Sequence, residues 1–218
     1  MRSNISTSGQ SSSQAKRTFT EEARRAQILT HAIDVVVEHG YAGASLNRIA
    51  AHAGISKGLI SYHFDGKADL LEALVRDVFA RGAEIAMRER PGEFNEDAPA
   101  GQALRAYLEA NLTFIAAHPR DVSAVVEVVG NHRDTDGELV FDAARESTTL
   151  TPLMQLFRDG QSAGEFREFD PRVMAIAVRR VVDGFSREYL AHPEMDVAAF
   201  TAEVVALFEH ATRKEAGT

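Results

Sequence analysis

Residues 44–64 read ASLNRIAAHAGISKGLISYHF, and their apolar pattern predicts two short helices joined by a tight turn. Apolar residues over 46–53 recur every three or four positions, which is the period of one helical face. Gly54 is predicted to end the first helix, because glycine readily adopts the left-handed backbone that closes a helix. A second helix is predicted to begin near Ser56 and to end near Phe64.

The two helices are predicted to pack through the apolar residues of a shared face: Leu46, Ile49, Ala50, Ile55 and Ile60. The second helix then presents a different set of side chains outward: Ser56, Lys57, Leu59, Ser61 and His63. This is the plan of a helix-turn-helix, whose second helix enters the major groove of DNA. An ordinary helical hairpin has the same spacing and is the structural alternative.

Helical signals continue on both sides of this pair. Thr20, followed by two glutamates, predicts the start of a first helix, and Gly40 predicts its end. A fourth helix is predicted over 67–89, with a loop over 90–101. Five more helices are predicted near 101–117, 120–132, 137–160, 171–191 and 196–213. Strand-type alternation is nearly absent, so the predicted fold class is all-α.

The net charge of −8 is unevenly distributed along the chain. Residues 1–67 contain eight basic and five acidic residues, a net charge of +3, so residues 68–218 carry −11. A basic N-terminal end on an acidic body favours a nucleic-acid partner at that end, although +3 is small for a DNA-binding face. The absence of cysteine excludes a disulfide scaffold and a thiol nucleophile.

The N-terminal segment, residues 1–17, is rich in serine and glutamine and is predicted to be a disordered tail. The functional alternative is an arm that touches DNA phosphates or the minor groove. The segment lacks the apolar central region of a secretory signal, and the chain has no apolar run of about 18 residues. We therefore expect a cytoplasmic location and no membrane partner.

The stretch from about Arg25 to Val78 resembles the DNA-binding domain of the TetR family of bacterial transcriptional repressors. The resemblance rests on these pieces: Gly40-Tyr41, Ser45 followed by Ile49-Ala50, AGISKGLISYHF, and Lys67 followed by Leu70-Leu71. It covers about a quarter of the chain. It implies a domain order in which residues 1–17 are the tail and 18–66 the three-helix DNA-binding domain. Residues 67–218 would then form a linking helix and a ligand-binding and dimerisation domain.

The resemblance also implies a set of DNA-contacting residues: Ser45, Asn47, Ser56, Lys57, Gly58, Leu59, Ser61, Tyr62, His63 and Lys67. Their chemistry suits this role, because lysine donates to guanine O6 and N7 and an apolar side chain contacts the thymine methyl group. Tyr62, His63 and Lys67 match the family's phosphate contacts, which fix register without reading sequence. For Tyr62 packing in the core remains an alternative, and Phe64 is interpreted as a core residue.

The helix predicted over 171–191 is apolar on two sides, which predicts burial on two sides. The resemblance implies that the last two long helices pair with those of a second copy, using Ala177, Arg180, Val181, Gly184, Phe200, Val204, Leu207 and Phe208. It also implies a small-molecule cavity, with candidate lining residues Phe114, His118, Val125, Val129, Phe141, Met154, Phe157, Met174 and Val178. Ordinary core packing is the alternative for both sets.

Three other motifs give weaker evidence of a function. Residues 54–58 match G-x-S-x-G, but the nucleophile elbow of hydrolases requires a strand before its serine, and here a helix is predicted. Residues 134–138 resemble half of a calcium loop, but Arg145 occupies the position of the required glutamate. The eight histidines do not form a His-Glu-x-x-His motif, so we expect no metal site and no cofactor.

The sequence therefore predicts a homodimeric, ligand-responsive transcriptional regulator, most simply a repressor, that is not an enzyme. Its expected partners are a palindromic double-stranded DNA operator, a second copy of the chain and a small-molecule effector. Such a protein would be associated with the bacterial nucleoid. The alternatives are a small helical hydrolase that uses Ser56 and a helical adaptor that binds only proteins.

Overall fold

The computed structural model describes residues 8–89, 98–141 and 150–214, which form helices joined by short connections. In chain order the helices are α1 (Ser8–Gly43), α2 (Leu46–Ala53), α3 (Lys57–His63), α4 (Gly66–Glu89), α5 (Ala100–Ala117), α6 (Pro119–Asn131), α7 (Thr151–Ser162), α8 (Pro171–Ala191) and α9 (Val197–Thr212). These described residues contain no strand, only two isolated β-bridges. The predicted all-α class with an N-terminal helix-turn-helix is confirmed.

The chain divides into two compact units, Met1–Leu74 and Val75–Thr218, and the division falls inside α4. The sequence places the boundary slightly earlier, between residues 66 and 67, at the start of the same helix. Each unit has its own set of buried apolar side chains. The domain roles implied by the resemblance remain predictions.

The first unit is built around the inner face of α1. Its residues Ile28, Ala32, Ile33 and Val36 are buried at the helical spacing that the sequence shows. Burying an isoleucine or valine side chain contributes about 1.5–3 kcal/mol, so this face anchors the unit. Gly40 (φ 66°), where the sequence predicts the end of the first helix, interrupts the helical backbone of α1, which continues to Gly43.

The structure differs from the sequence prediction at the N-terminus. Residues 8–17, predicted to be disordered, are helical, and Thr20 lies inside α1 instead of at its start. Adding a residue to an existing helix is far easier than nucleating one, so the packed part of α1 can extend into a polar segment. Residues 1–7 lie outside the described part of the chain.

The second unit is arranged around α5, which packs against α6, α7, α8 and α9. Leu104, Leu108 and Leu112 form one face of α5 and are almost completely buried. Their spacing of four residues gives this helix a continuous apolar stripe. The core that surrounds it also contains Phe157, Val178 and other buried residues of α7, α8 and α9.

The prediction of a helix over 137–160 is wrong for the N-terminal part of that range. Residues 132–140 instead form a small hairpin, in which Asp134 N–H donates to the Glu138 carbonyl (2.9 Å) and Val140 N–H donates to the His132 carbonyl (3.0 Å). The Asp134 carboxylate accepts two backbone N–H groups of the turn, and Gly137 has a positive φ of 86°. This local capture of the backbone by an aspartate competes with helix formation. Residues 142–149 lie outside the described part, and α7 begins at Thr151.

Candidate nucleic-acid interface

The turn between α2 and α3 is fixed by two serine caps and one glycine. The Ser45 hydroxyl accepts the Arg48 N–H (3.3 Å), and the Ser56 hydroxyl accepts the Leu59 N–H (3.2 Å). Between them Gly54 has φ 65° and ψ 28°, a left-handed conformation in which its N–H bonds to carbonyls of the last turn of α2. Each helix therefore begins at a serine that satisfies a free backbone N–H, and α2 ends at a glycine whose N–H bonds to its last carbonyls.

The inner side of α3 is held by Ile60, which is completely buried, as is Ile49 on the facing helix α2. Phe64, which follows α3, is buried as well, in agreement with its interpretation as a core residue. The other side of α3 is open, since Lys57, Gly58 and Ser61 are exposed. The fold thus buries Ile60 of the predicted inward set and exposes Ser56, Lys57 and Ser61 of the predicted outward set, while Leu59 and His63 of the outward set are half-buried.

The remaining candidates for DNA contact differ in exposure. Ser45, which caps α2, and Asn47 in its first turn are exposed, whereas Leu59, His63 and Lys67 are half-buried. Tyr62 is 71% exposed, so it does not pack in the core of this unit. Its hydroxyl lies 3.5 Å from a carboxylate oxygen of Glu21, and its ring stands edge-on to His63 with centroids 5.0 Å apart.

Lys67 lies in the first turn of α4 and points back towards the end of α1. Its Nζ donates to the Tyr41 carbonyl (2.5 Å) and lies 4.3 Å from the centroid of the Tyr41 ring. Burial lowers the pKa of this ammonium. An ammonium has three N–H donors, so Lys67 retains donors for an additional acceptor such as a phosphate oxygen.

Two arginines that were not predicted as site residues donate hydrogen bonds to backbone carbonyls next to this surface. The guanidinium of Arg25 lies over the Phe64 ring (4.2 Å to the centroid) and donates to the His63 carbonyl at the end of α3. Arg48 donates to the Gly43 carbonyl (2.6 Å) before α2. Basic charge alone did not distinguish them from residues that face solvent. Arg25, Arg48 and Lys67, three of the eight basic residues of this unit, therefore bond to its backbone carbonyls.

The candidate lining residues of the predicted small-molecule cavity lie in several places in the second unit. Met154, Phe157, Met174 and Val178 belong to, or pack against, the main core around α5. Phe114 and His118 lie together near the end of α5, with ring centroids 4.8 Å apart. The other three are half-buried or buried: Val125 and Val129 on α6, and Phe141, whose ring lies 5.8 Å from that of His132. Their role in lining a cavity remains a prediction.

A buried polar cluster in this unit was missed by sequence reasoning. Arg179 on α8 is only 8% exposed and donates to the Tyr107 hydroxyl (2.8 Å), while its second terminal nitrogen pairs with Asp183. A third acceptor, Asn111 Oδ1, lies at 3.4 Å. Burial raises the pKa of Tyr107; burial alone would lower that of Arg179, but Tyr107 and Asp183 together raise it. The Arg179 Nε has no acceptor among the described residues.

The candidate dimer residues separate into two groups. Ala177, Arg180 and Gly184 are exposed on α8, and Leu207 on α9 is 58% exposed. Val204 and Phe208 are instead buried in the core of the same chain, and Phe200 stacks on Phe185 with ring centroids 4.8 Å apart. The physical reason is that α9 packs on α5, which covers that face. Val181 is half-buried between the two groups.

Comparison with known proteins agrees with the geometry of the first unit. Residues 28–74 match the sequence model of the bacterial regulatory proteins of the tetR family. The HTH-type transcriptional regulator BetI 2 of Chromohalobacter salexigens is 36% identical over 91 residues, which is 42% of this chain and 43% of that regulator. The match thus spans less than half of either protein. The predicted resemblance of the N-terminal region is confirmed.

Solved structures extend the likeness to most of the chain. A bacterial regulatory protein in the tetR family from Rhodococcus RHA1 gives a TM-score of 0.74 at 21% identity, covering 88% of this chain and 98% of that one. FadR from Bacillus subtilis, solved in complex with stearoyl-CoA, gives 0.65 at 20% identity, covering 84% and 96%. At these identities the likeness establishes the fold. Among the helices of the described residues, none has the length and apolarity needed to cross a bilayer.

Proposed function

We propose that this chain is a transcriptional regulator that binds a palindromic operator as a homodimer, because residues 28–74 match the sequence model of the tetR family of bacterial regulatory proteins. The observation that carries the proposal is the two-sided character of α3. Ile60 fixes one side in the core, and Lys57, Gly58 and Ser61 lie exposed on the other. A short helix anchored in this way can enter the major groove while the rest of the unit stays folded.

The exposed side of α3 has the chemistry for reading bases. Lys57 donates to guanine O6 and N7, and the half-buried Leu59 offers a methyl group for contact with thymine. A Cβ added at Gly58 would meet only the Ser56 hydroxyl, at 3.8 Å, so the glycine is not required by packing within the protein. Its advantage is therefore close approach of the helix backbone to the groove.

The phosphate contacts are assigned to residues at the edges of this surface. Tyr62 presents an exposed hydroxyl, and His63 and Lys67 supply donors beside it. Ser45, Asn47 and Ser56 lie near the N-termini of α2 and α3, where helix dipoles favour anions. Such contacts orient the protein on the duplex and make binding sensitive to salt.

The homodimer is proposed to form through the exposed side of α8. Val173 is 65% exposed and Ile176 is 38% exposed, and both lie on the same side of α8 as the predicted interface residues Ala177, Arg180 and Gly184. An exposed apolar strip on one long helix is suited to pairing with the same strip of a second copy. Leu207 extends the apolar surface onto α9.

The effector is proposed to be a small molecule that enters the second unit. Aromatic and methionine side chains supply its apolar contacts, and the Arg179 Nε is a buried donor that has no acceptor among the described residues. FadR, which shares the fold, was solved with stearoyl-CoA, so this fold accommodates a ligand with an apolar chain. An effector that prefers the state not bound to DNA releases the operator by its difference in affinity for the two states.

We propose repression, because occupying an operator is sufficient to block transcription and needs no second protein surface. A hydrolase is disfavoured, since the Ser56 hydroxyl caps α3 and a helix, not a strand, precedes it. A protein-only adaptor does not account for the family match over residues 28–74.

The test is selection of bound duplexes from a random DNA library by the full-length chain. We expect recovered sites with two-fold symmetry, and half-site centres about 34–36 Å apart or a multiple of one helical turn. Selection with Lys57→Ala should relax one position in each half-site. Recovery of unrelated sequences by the wild-type chain would contradict the proposal.

A further inference from the structure

Three side chains that can ligate a metal converge between α1 and α2. His31 and Asp34 lie three residues apart on α1, which places them on one face of the helix. His52, on α2, reaches the same place from the neighbouring helix. Each residue offers a ligand atom, and these atoms all lie within 4.8 Å of one another.

The spacing of the two rings is the most informative distance. The Nδ1 atoms of His31 and His52 are 3.2 Å apart, and the rings stand edge-to-face at an interplanar angle of 66°. Two Zn–N bonds of about 2.0–2.1 Å at a near-tetrahedral angle place their nitrogens about 3.3 Å apart. Without metal the same distance suits a hydrogen bond from one neutral ring to the other. With metal the donor ring takes the Nε2–H tautomer, so that its Nδ1 proton is released to solvent, Nε2 takes up a proton, and both Nδ1 lone pairs face the ion.

We propose that His31, Asp34 and His52 form a binding site for a divalent transition-metal ion, of which Zn²⁺ is the best match. Two imidazole nitrogens and one carboxylate oxygen are ligands that Zn²⁺ accepts, and a fourth position stays open to water. A carboxylate has two oxygens, so Asp34 can bind the ion through one and keep a protein contact through the other. His31 and Asp34 are half-buried and His52 is exposed, so the ion has access from solvent.

The site would connect α1 to α2 and so stabilise the first unit. All three residues lie within Met1–Leu74, and α2 packs on both α1 and α3. Metal binding to the folded chain but not to the unfolded chain raises stability by mass action. The inference does not depend on the proposed DNA binding.

The first experiment is calorimetric titration of the full-length chain with ZnCl₂. We expect saturation at about one ion per chain and, with the ion at about 100 times its dissociation constant, a melting temperature roughly 5–10 °C higher. Loss of a partner that only supports a ligand already costs at least about tenfold in metal affinity. His52→Ala and Asp34→Asn each remove a ligand, so each should weaken binding by more than about tenfold. His39→Ala is the matched control, since His39 is exposed on the same helix outside the cluster.

No saturable binding to the wild-type chain would overturn the proposal, and so would equal binding by wild type and His52→Ala. A second measurement avoids any folding defect of the variants. When Co²⁺ is added to the wild-type chain, the ring resonances of His31 and His52 should shift or broaden first in the NMR spectrum. Equal broadening of all eight histidines would show non-specific binding and would also overturn it.

Discussion

The two units of this chain differ in whether their functional polar side chains are exposed or buried. In Met1–Leu74 the polar residues of α3 lie exposed, and the apolar residues behind them hold the helix in place. In Val75–Thr218 the polar cluster around Arg179 is buried. Arg179 is only 8% exposed and contacts Tyr107, Asn111 and Asp183. An exposed polar face is suited to a large partner such as DNA. A buried polar group is suited to binding a small molecule or to stabilising the fold.

This contrast predicts that removing a cation has different consequences in the two units. The largest expected effect is in the second unit: Arg179→Met leaves Asp183 and Tyr107 without their buried partner. We expect the free energy of unfolding to fall by about 3 kcal/mol, the lower end for breaking a buried ion pair, because Asp183 keeps some access to water. Urea unfolding followed by circular dichroism measures this loss.

Arg158→Ala is the matched control, because Arg158 is exposed on α7 of the same unit and lies outside the proposed dimer surface. Its effect on unfolding should stay within about 0.5 kcal/mol, as for other surface substitutions. Equal effects of the two variants would mean that the Arg179 cluster contributes nothing particular to the fold.

The first unit should show the opposite pattern when its exposed cation is removed. Lys57→Ala should leave the unfolding free energy within about 0.5 kcal/mol of wild type, because the side chain is exposed. It should reduce the preference for the correct base in each half-site by about 1–3 kcal/mol. Fluorescence anisotropy with the selected operator and single-base variants of it separates these effects. A loss of affinity that is uniform across all the duplexes would assign Lys57 to a phosphate.

The turn that connects α2 to α3 provides the next comparison. Gly54→Ala places a side chain at φ 65°, so we expect the first unit to lose about 1–2 kcal/mol of stability. Gly130→Ala in α6 is the control, because a Cβ there meets nothing within 4 Å and φ is not positive. Thermal unfolding of both variants tests this. A Gly54→Ala chain as stable as wild type would show that the turn relaxes to another geometry.

The smallest expected effect is at the edge of the candidate interface. Lys67→Ala should weaken binding to all duplexes and reduce the slope of log affinity against log salt by about 1. Its Nζ also bonds to the Tyr41 carbonyl, so thermal unfolding must show that the variant is folded. Lys214→Ala, in the second unit, should leave the slope unchanged. An unchanged slope for Lys67→Ala would remove that residue from the phosphate contacts.

The first unit could be predicted from sequence because its information is local. Ser45, Gly54, Ser56 and Ile60 lie within 16 positions, and each one specifies a cap, a turn or a buried contact without reference to the rest of the chain. The prediction did not identify Arg25, whose role depends on a contact with a carbonyl 38 residues away.

The second unit resisted prediction because its contacts are distant in sequence. Arg179 meets Tyr107 and Asn111 across 72 and 68 positions, and no periodicity encodes that pairing. Val204 and Phe208 were assigned to a dimer surface through the family resemblance, which does not reveal that they are buried where α9 packs on α5 of the same chain. In the first unit the convergence of His31 and His52 was not predicted for the same reason, because 21 positions separate them.

The most direct test of the central claim, that the exposed side of α3 lies against DNA, is a paired measurement on Gly58→Ala. A Cβ at this position fits the protein, and alanine favours the helix by roughly 0.5–1 kcal/mol, so stability should be maintained or increased. The added methyl group should obstruct the groove and weaken operator binding by about tenfold or more. Gly130→Ala should have a similar effect on stability, because Gly130 also lies in a helix with room for a Cβ, and should leave operator binding unchanged. A Gly58→Ala chain that is stable and binds the operator as tightly as wild type would contradict the account.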